Sequence, residues 1–104
     1  MIRVTVLYPQ SNGNWFNADY YKKNHLKMVK DLMGPMGLKE IEMDLGVNAP
    51  DNPAPNFAIA MLKFDTVNDF QAAMAVHGKA LMDDIPNYTR DFVLQISEIQ
   101  TLDL

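Results

Sequence analysis

The stretch Phe57-Ala58-Ile59-Ala60-Met61-Leu62-Lys63-Phe64 constrains this chain more than any other part of it. Period-two alternation sends Phe57, Ile59 and Met61 to one side and Ala58, Ala60, Leu62 and Phe64 to the other. Both sides are apolar, so this reads as an interior strand whose sheet needs cover on each face. A chain of 104 residues is one domain, residues 1–104, with 48% apolar residues to fill its core.

The flanking segments supply the rest of a sheet and its cover. Ile2, Val4, Val6 and Tyr8 alternate with polar or smaller neighbours and predict a strand over residues 2–8, stopped by Pro9. Ser11-Asn12-Gly13-Asn14 has loop chemistry. Asn17 suits a helix N-cap, Asp19 suits the positive end of the helix, and Phe16 is spaced to staple onto Tyr21. Tyr21, His25, Met28, Val29 and Leu32 then form a helical stripe, ended by Gly34-Pro35 and Gly37. Residues 38–45 predict a strand with Glu40, Glu42 and Asp44 on one face, as an edge strand allows. Asn48 to Asn56 carries three prolines and reads as a long loop or flap. After Phe64, Asp65 or Thr66 caps a second helix with the stripe Val67, Phe70, Ala73, Met74 and His77, and Gly78 is the expected stop. Lys79 to Arg90 reads as irregular, and a last strand is expected over about Phe92 to Ile99.

The order β-α-β-β-α-β predicts an α+β fold: a ferredoxin-like four-stranded antiparallel sheet with both helices on one face. Two helices cover one face only. The other face keeps Phe57, Ile59 and Met61, with Val93 and Ile99 from the last strand, and an apolar face of that kind marks an interaction surface. The expected cover is a second copy of the same sheet, which makes the chain a homodimer through its sheet face.

Composition removes several classes of function. There are no cysteines, hence no disulfide, thiolate metal site or cysteine nucleophile, as in a cytoplasmic protein. A net charge of −4 argues against nucleic acid, which needs clustered Lys and Arg. Lys22, Lys23, Lys27 and Lys30 recur along one helix as a solvated face. No apolar run reaches the length of a membrane span, and the N-terminus begins as a strand without a signal-peptide layout. His25 and His77 are the only histidines and no carboxylate shares a ligand-type spacing with either, so no metal is expected. Neither a phosphate-cradling glycine loop nor a nucleophile elbow is present, and no cofactor is expected.

Four separated blocks resemble the EthD family: Phe16-Asn17-Ala18-Asp19-Tyr20-Tyr21-Lys22-Lys23-Asn24-His25, Phe64-Asp65, His77-Gly78, and Asp84-Ile85-Pro86-Asn87-Tyr88. Asn17 stands where that family often has Asp, and Leu26-Lys27 replaces a frequent Pro after the histidine. The resemblance implies a dimeric α+β barrel with two sheets face to face and a small cavity between sheet and helices. It is similar to a family named for ethyl tert-butyl ether degradation. Proteins with this barrel include polyketide cyclases, decarboxylases, muconolactone isomerases, cofactor-free monooxygenases and haem enzymes.

Chemistry then centres on His25, whose imidazole lies on an apolar stripe and can donate at one nitrogen and accept at the other. It is either a general acid/base in a dry cavity or a core histidine bonded to a neighbour. Tyr21 is either a phenol that orients a ligand or core aromatic; Tyr20 has the same alternatives. Met28 and Met61, like Met74, are adaptable apolar fillers that suit a ligand wall or a plain core. His77 at a helix C-terminus reads as a dipole cap or a ligand contact, and Asp84 as a histidine partner or a turn residue. Tyr21, Met28, Met61, His77 and Asp84 are thus the expected ligand contacts around a catalytic His25. The expected ligand is a small, mostly apolar, oxygenated or aromatic compound, turned over by isomerisation, cyclisation, decarboxylation or cofactor-free oxidation. The alternative is a non-catalytic carrier or an accessory protein for a partner oxidase.

Overall fold

The computed structural model describes residues 1–11 and 13–104, and Asn12 of the expected loop lies outside the described residues. Strands β1 (Ile2–Pro9), β2 (Glu40–Leu45), β3 (Asn56–Phe64) and β4 (Val93–Glu98) form one antiparallel sheet in the order β2-β3-β1-β4. The first helical arm is α1 (Ala18–Tyr20), a wide π turn at Tyr21–His25, and α2 (Leu26–Met33); the second is α3 (Val67–Asp84). This is the ferredoxin-like βαββαβ arrangement, with β1 and β3 central. No helix among the described residues is long and apolar enough to cross a membrane.

Local chemistry sets most of the boundaries. The Asn17 side chain accepts from the Tyr20 amide at 3.1 Å, and the Phe16 and Tyr21 rings lie 5.1 Å apart, so cap and staple are both made. Thr66, rather than Asp65, caps α3 by accepting from the Asp69 amide at 3.1 Å. Gly37, at φ 98°, supplies the left-handed residue that turns the chain away from the first arm. Gly46 has no room for a side chain, because a Cβ there would meet the Asn56 carbonyl at 2.3 Å.

Three expectations are corrected. Helix α3 runs through Gly78 to Asp84. Gly78 is buried inside it, where a Cβ would lie 3.2 Å from the end of the Met74 side chain. Leu81, buried in the next turn, repays the roughly 1 kcal/mol that a mid-helix glycine costs, and Pro86 ends the helix instead. The buried line of the first arm is Tyr21, His25, Val29 and Met33, with Met28 and Leu32 flanking it half-buried. Phe57 does not pair like Ile59 and Met61: the register shifts between Tyr8 and Pro9, and the Phe57 ring stacks on Phe16 with centroids 6.3 Å apart.

The main core joins Ile2, Val4, Leu62 and Phe64 of the sheet to Val29 and Met33 of α2 and to Phe70, Ala73 and Leu81 of α3. A second cluster gathers Tyr8, Tyr21, Ala58, Ala60 and Tyr88 toward the other end of β1. On the opposite face, Leu7, Ile59, Met61 and Val93 share the surface with Glu40, Glu42 and Asp44 of the edge strand, as their pairing register requires. Phe64 is fully buried and Val76 is 64% exposed on α3. Phe64→Ala is therefore expected to cost about 3–5 kcal/mol and Val76→Ala less than about 0.5 kcal/mol. Urea denaturation at one fixed protein concentration measures both.

Candidate functional site

The two helical arms do not close completely over the sheet, and the gap is a cavity of about 70 Å³. That is several times the roughly 10–15 Å³ that one water needs by the same measure. Val4, Val6, Ala60 and Leu62 form its floor, Val29 and Met33 one wall, Phe70, Met74 and Leu81 the other. Leu26, Met82, Ile85, Phe92 and Leu94 complete the apolar lining, and among the described residues polar side chains enter only from Tyr8, Tyr21, His25 and Tyr88. The small side chain of Ala60 on the floor leaves room beside the four rings.

His25 projects from the π turn into this space. Its Nδ1 lies 2.9 Å from Asp84 Oδ2, and the two side chains are 8% and 10% exposed. Asp84 Oδ1 accepts from the Tyr20 hydroxyl at 2.6 Å and from Asn87 Nδ2 at 3.0 Å. Burial alone would raise the Asp84 pKa, but hydrogen bonds from Tyr20, Asn87 and His25 outweigh it and hold the carboxyl below its ordinary value. Burial lowers the His25 pKa below its ordinary 6.5 in spite of the opposing pull of Asp84. At neutral pH the pair is therefore an ionised carboxylate and a neutral imidazole. An ionised carboxylate only accepts, so Nδ1 carries the proton and Nε2 keeps its lone pair. Nε2 has no hydrogen-bond partner among the described residues, and no buried side-chain nitrogen or oxygen lacks one. It must then lie on an accessible wall.

Beside the dyad stands a cluster of phenols. The Tyr8 hydroxyl is 3.1 Å from those of both Tyr21 and Tyr88. The His25 ring stacks on Tyr21 at 5.5 Å and 17°, and sits 4.6 Å from the Tyr88 ring. Burial is the main cause that pushes all three phenols above their ordinary pKa, so they stay protonated and act as donors. Hydrogen bonding to Asp84 likewise raises the Tyr20 phenol.

The structure thus brings together Tyr21, His25 and Asp84 of the expected site. Met28 packs against the main core and does not line the cavity. Met61 lies on the far face of the sheet beside Arg3, Glu40 and Glu42. His77 falls in the middle of α3, half-buried and off the cavity, because the helix does not stop at Gly78. A dipole cap is thereby removed from its possible jobs. Met74 does line the cavity. Sequence reasoning passed over Tyr8, although a phenol on the core-facing side of a strand always needs a hydrogen-bond partner. Among the described residues no group of His, Cys, Asp and Glu side chains is arranged to hold a metal ion.

The family model for the EthD domain matches residues 17–91. An EthD-like protein from Ralstonia eutropha is 36% identical, with 93% of this chain and 89% of that one covered and a TM-score of 0.85. An ethyl tert-butyl ether (EthD) family protein from Bacillus halodurans shares the fold at 19% identity, with a TM-score of 0.68 over 96% of this chain and 99% of that one. A dimeric ferredoxin-like protein from Thermobifida fusca shares it at 18% identity and a TM-score of 0.58, over 94% and 90% of the two chains. No curated protein matches the chain. With the domain model spanning most of its length and over a third of its residues shared with a relative of the same size, the chain belongs to the EthD family.

Proposed function

We propose that this EthD-family domain binds a small, mostly apolar, oxygenated or aromatic compound between sheet and helices and catalyses proton transfer on it. His25 Nε2 is the base, and Asp84 is the positioning residue that fixes its tautomer. The observation that carries this reading is the 2.9 Å bond from His25 Nδ1 to Asp84, which leaves the second nitrogen unpaired, among the described residues, on a ring that lines the cavity. A carboxylate that orients an imidazole in this way is a recurring means of holding a general base ready. The depressed His25 pKa serves the same end, because a base has to be unprotonated at working pH. Reactions that turn on moving a proton to or from carbon, or from a phenol, are open to such a site: isomerisation, cyclisation, decarboxylation of an activated acid, and cofactor-free oxidation.

A second copy of the chain covers the open face in this reading. Leu7, Ile59, Met61 and Val93 leave an apolar strip in the middle of that face, and a neighbour with the same fold is dimeric. The cavity lies on the opposite side, so dimer and site use different faces of one sheet. Sedimentation velocity at micromolar concentration should give a dimer, and Ile59→Lys a folded monomer. A wild-type monomer would remove the barrel from this account.

The catalytic reading is tested with a panel of small aromatic and oxygenated compounds ranked by thermal shift. The best stabiliser is then followed by NMR in deuterated water for exchange of a carbon-bound hydrogen. His25→Gln should abolish exchange and keep binding; unchanged exchange removes His25 from the mechanism. Binding with no exchange in the wild type would instead mark a carrier. Asp84→Asn should lower exchange by about 10²- to 10⁴-fold, and the ring-nitrogen shifts of His25 should report a changed tautomer, which a loss of folding alone would not give.

Proton linkage supplies a further expectation. The His25 pKa is lower in the folded chain than the ordinary 6.5, so folding disfavours the proton. The stability this contributes is complete above about pH 6.5 and is lost as the pH falls toward the folded value. Exchange should follow the same lowered pKa, with its midpoint below the ordinary 6.5 of a free imidazole. Urea denaturation at pH 7.5 and 5.5 should show a loss that is smaller in His25→Gln.

A further inference from the structure

The three phenols at the cavity's polar end hold three hydroxyl protons but make only two contacts with one another. Tyr8 donates to Tyr21 at 3.1 Å. Having spent its one proton there, Tyr8 must receive from Tyr88, also at 3.1 Å. The chain of bonds runs Tyr88 to Tyr8 to Tyr21, and the Tyr21 O–H at its end has no acceptor among the described residues. Tyr21 is buried, lines the cavity, and stacks its ring on His25. A buried donor without an acceptor is costly, and a ligand oxygen relieves that cost.

We propose that Tyr21 is the oxygen-binding residue of this site and that the ligand class is a small carbonyl compound with a hydrogen on the carbon next to its C=O. The inference rests on the reading of His25 as the base and adds to it the oxygen site that such a reaction needs. Each upstream hydroxyl polarises the next, so the terminal O–H is a stronger donor than a lone phenol. Tyr21 and His25 share one turn of the first helical arm, which sets donor and base side by side on the same wall. The step balances within the site. The α C–H bond breaks and its proton passes to His25 Nε2. The electron pair becomes the new C=C bond, and the C=O becomes an enolate oxygen that accepts from Tyr21. Protonated His25 then returns a proton to carbon. The gain is electrostatic, because the negative charge forms where a fixed donor already points. Both Tyr21 and His25 would touch the reacting atoms. Tyr8 and Tyr88 act through Tyr21 and are positioning residues.

Acetophenone and ethylbenzene serve as probes, since they share size and ring and differ chiefly in the carbonyl oxygen. Wild-type protein should bind acetophenone about fivefold more tightly than ethylbenzene, the preference that one neutral hydrogen bond supplies. Tyr21→Phe should lose that preference while its ethylbenzene affinity, which also reports folding, is kept. The C=O stretch of bound acetophenone should move to lower frequency in the wild type relative to its position in hexane. A preference retained in Tyr21→Phe, or a stretch that does not move, overturns the proposal; the stretch decides the matter if the variant fails to fold. Exchange of the acetophenone methyl hydrogens in deuterated water separates the two readings. A preference lost in Tyr21→Phe, with no wild-type exchange, keeps the oxygen site and sinks the base. Exchange that needs His25, with the preference intact in Tyr21→Phe, keeps the base and sinks the oxygen site.

Discussion

Asp84 is a carboxylate with a side chain only 10% exposed, and a charge so placed is tolerated only if donors surround it. Three do: Tyr20, His25 and Asn87. Two of them come from the first helical arm and one from the turn after α3, so satisfying one buried charge ties together the two elements that frame the cavity. Removing a donor leaves part of that charge unmet. Removing the carboxylate leaves the imidazole free to turn and to exchange tautomers. The same bonds that hold the arms together therefore define which nitrogen of His25 carries a lone pair.

The π turn at Tyr21–His25 adds a geometric condition. Residues four apart in an α-helix overshoot a full turn by about 40°, so a buried line drawn at that spacing winds off the core within a few steps. Tyr21, His25, Val29 and Met33 nonetheless all stay buried. The wider turn, in which the Leu26 amide reaches back to the Tyr21 carbonyl, takes back part of the overshoot between Tyr21 and His25. It also sets the two rings nearly parallel at 5.5 Å.

The alternation of β1 and the two-sided apolar run of β3 were enough to read two strands of the sheet, and the order of elements along the chain was enough to read its fold class. Caps at Asn17 and Thr66 and the left-handed Gly37 were legible as well, because each is a local rule with a local cause. Gly78 misled because α3 is held on either side of it by the buried residues Phe70, Ala73 and Leu81, which a linear reading of turn residues does not weigh. That single misplacement also put His77 at a helix end and Asp84 in a loop. The bulge at Phe57 was hidden too, since nothing in the strand's composition marks a register shift. His25, Tyr21 and Asp84 could be picked out by residue type and stripe, and a histidine partner was one of two readings of Asp84; that the partner is His25, 59 residues away, only the fold decides. Tyr8 is the instructive omission. Its phenol has no meaning on β1 alone and acquires one only when Tyr21 and Tyr88 arrive from two other elements.

Strand β3 explains why one small sheet can serve two ends at once. Its even-numbered residues face the helices, where Ala58 packs against the tyrosine cluster, Ala60 is small enough to leave a hollow beside it, and Leu62 and Phe64 join the main core. Its odd-numbered residues Ile59 and Met61 face away, toward the surface that carries Leu7 and Val93. Because successive side chains cannot share a face, a change made to the outer row leaves the floor of the cavity in register. The polar groups are concentrated at the end of the hollow where Tyr8, Tyr21, His25 and Tyr88 meet, and the remaining walls are hydrocarbon. Low polarity around those four groups strengthens each hydrogen bond made there and raises the cost of any left unmade. The greasy walls thus bear directly on those four groups, because they offer them no competing hydrogen-bond partner.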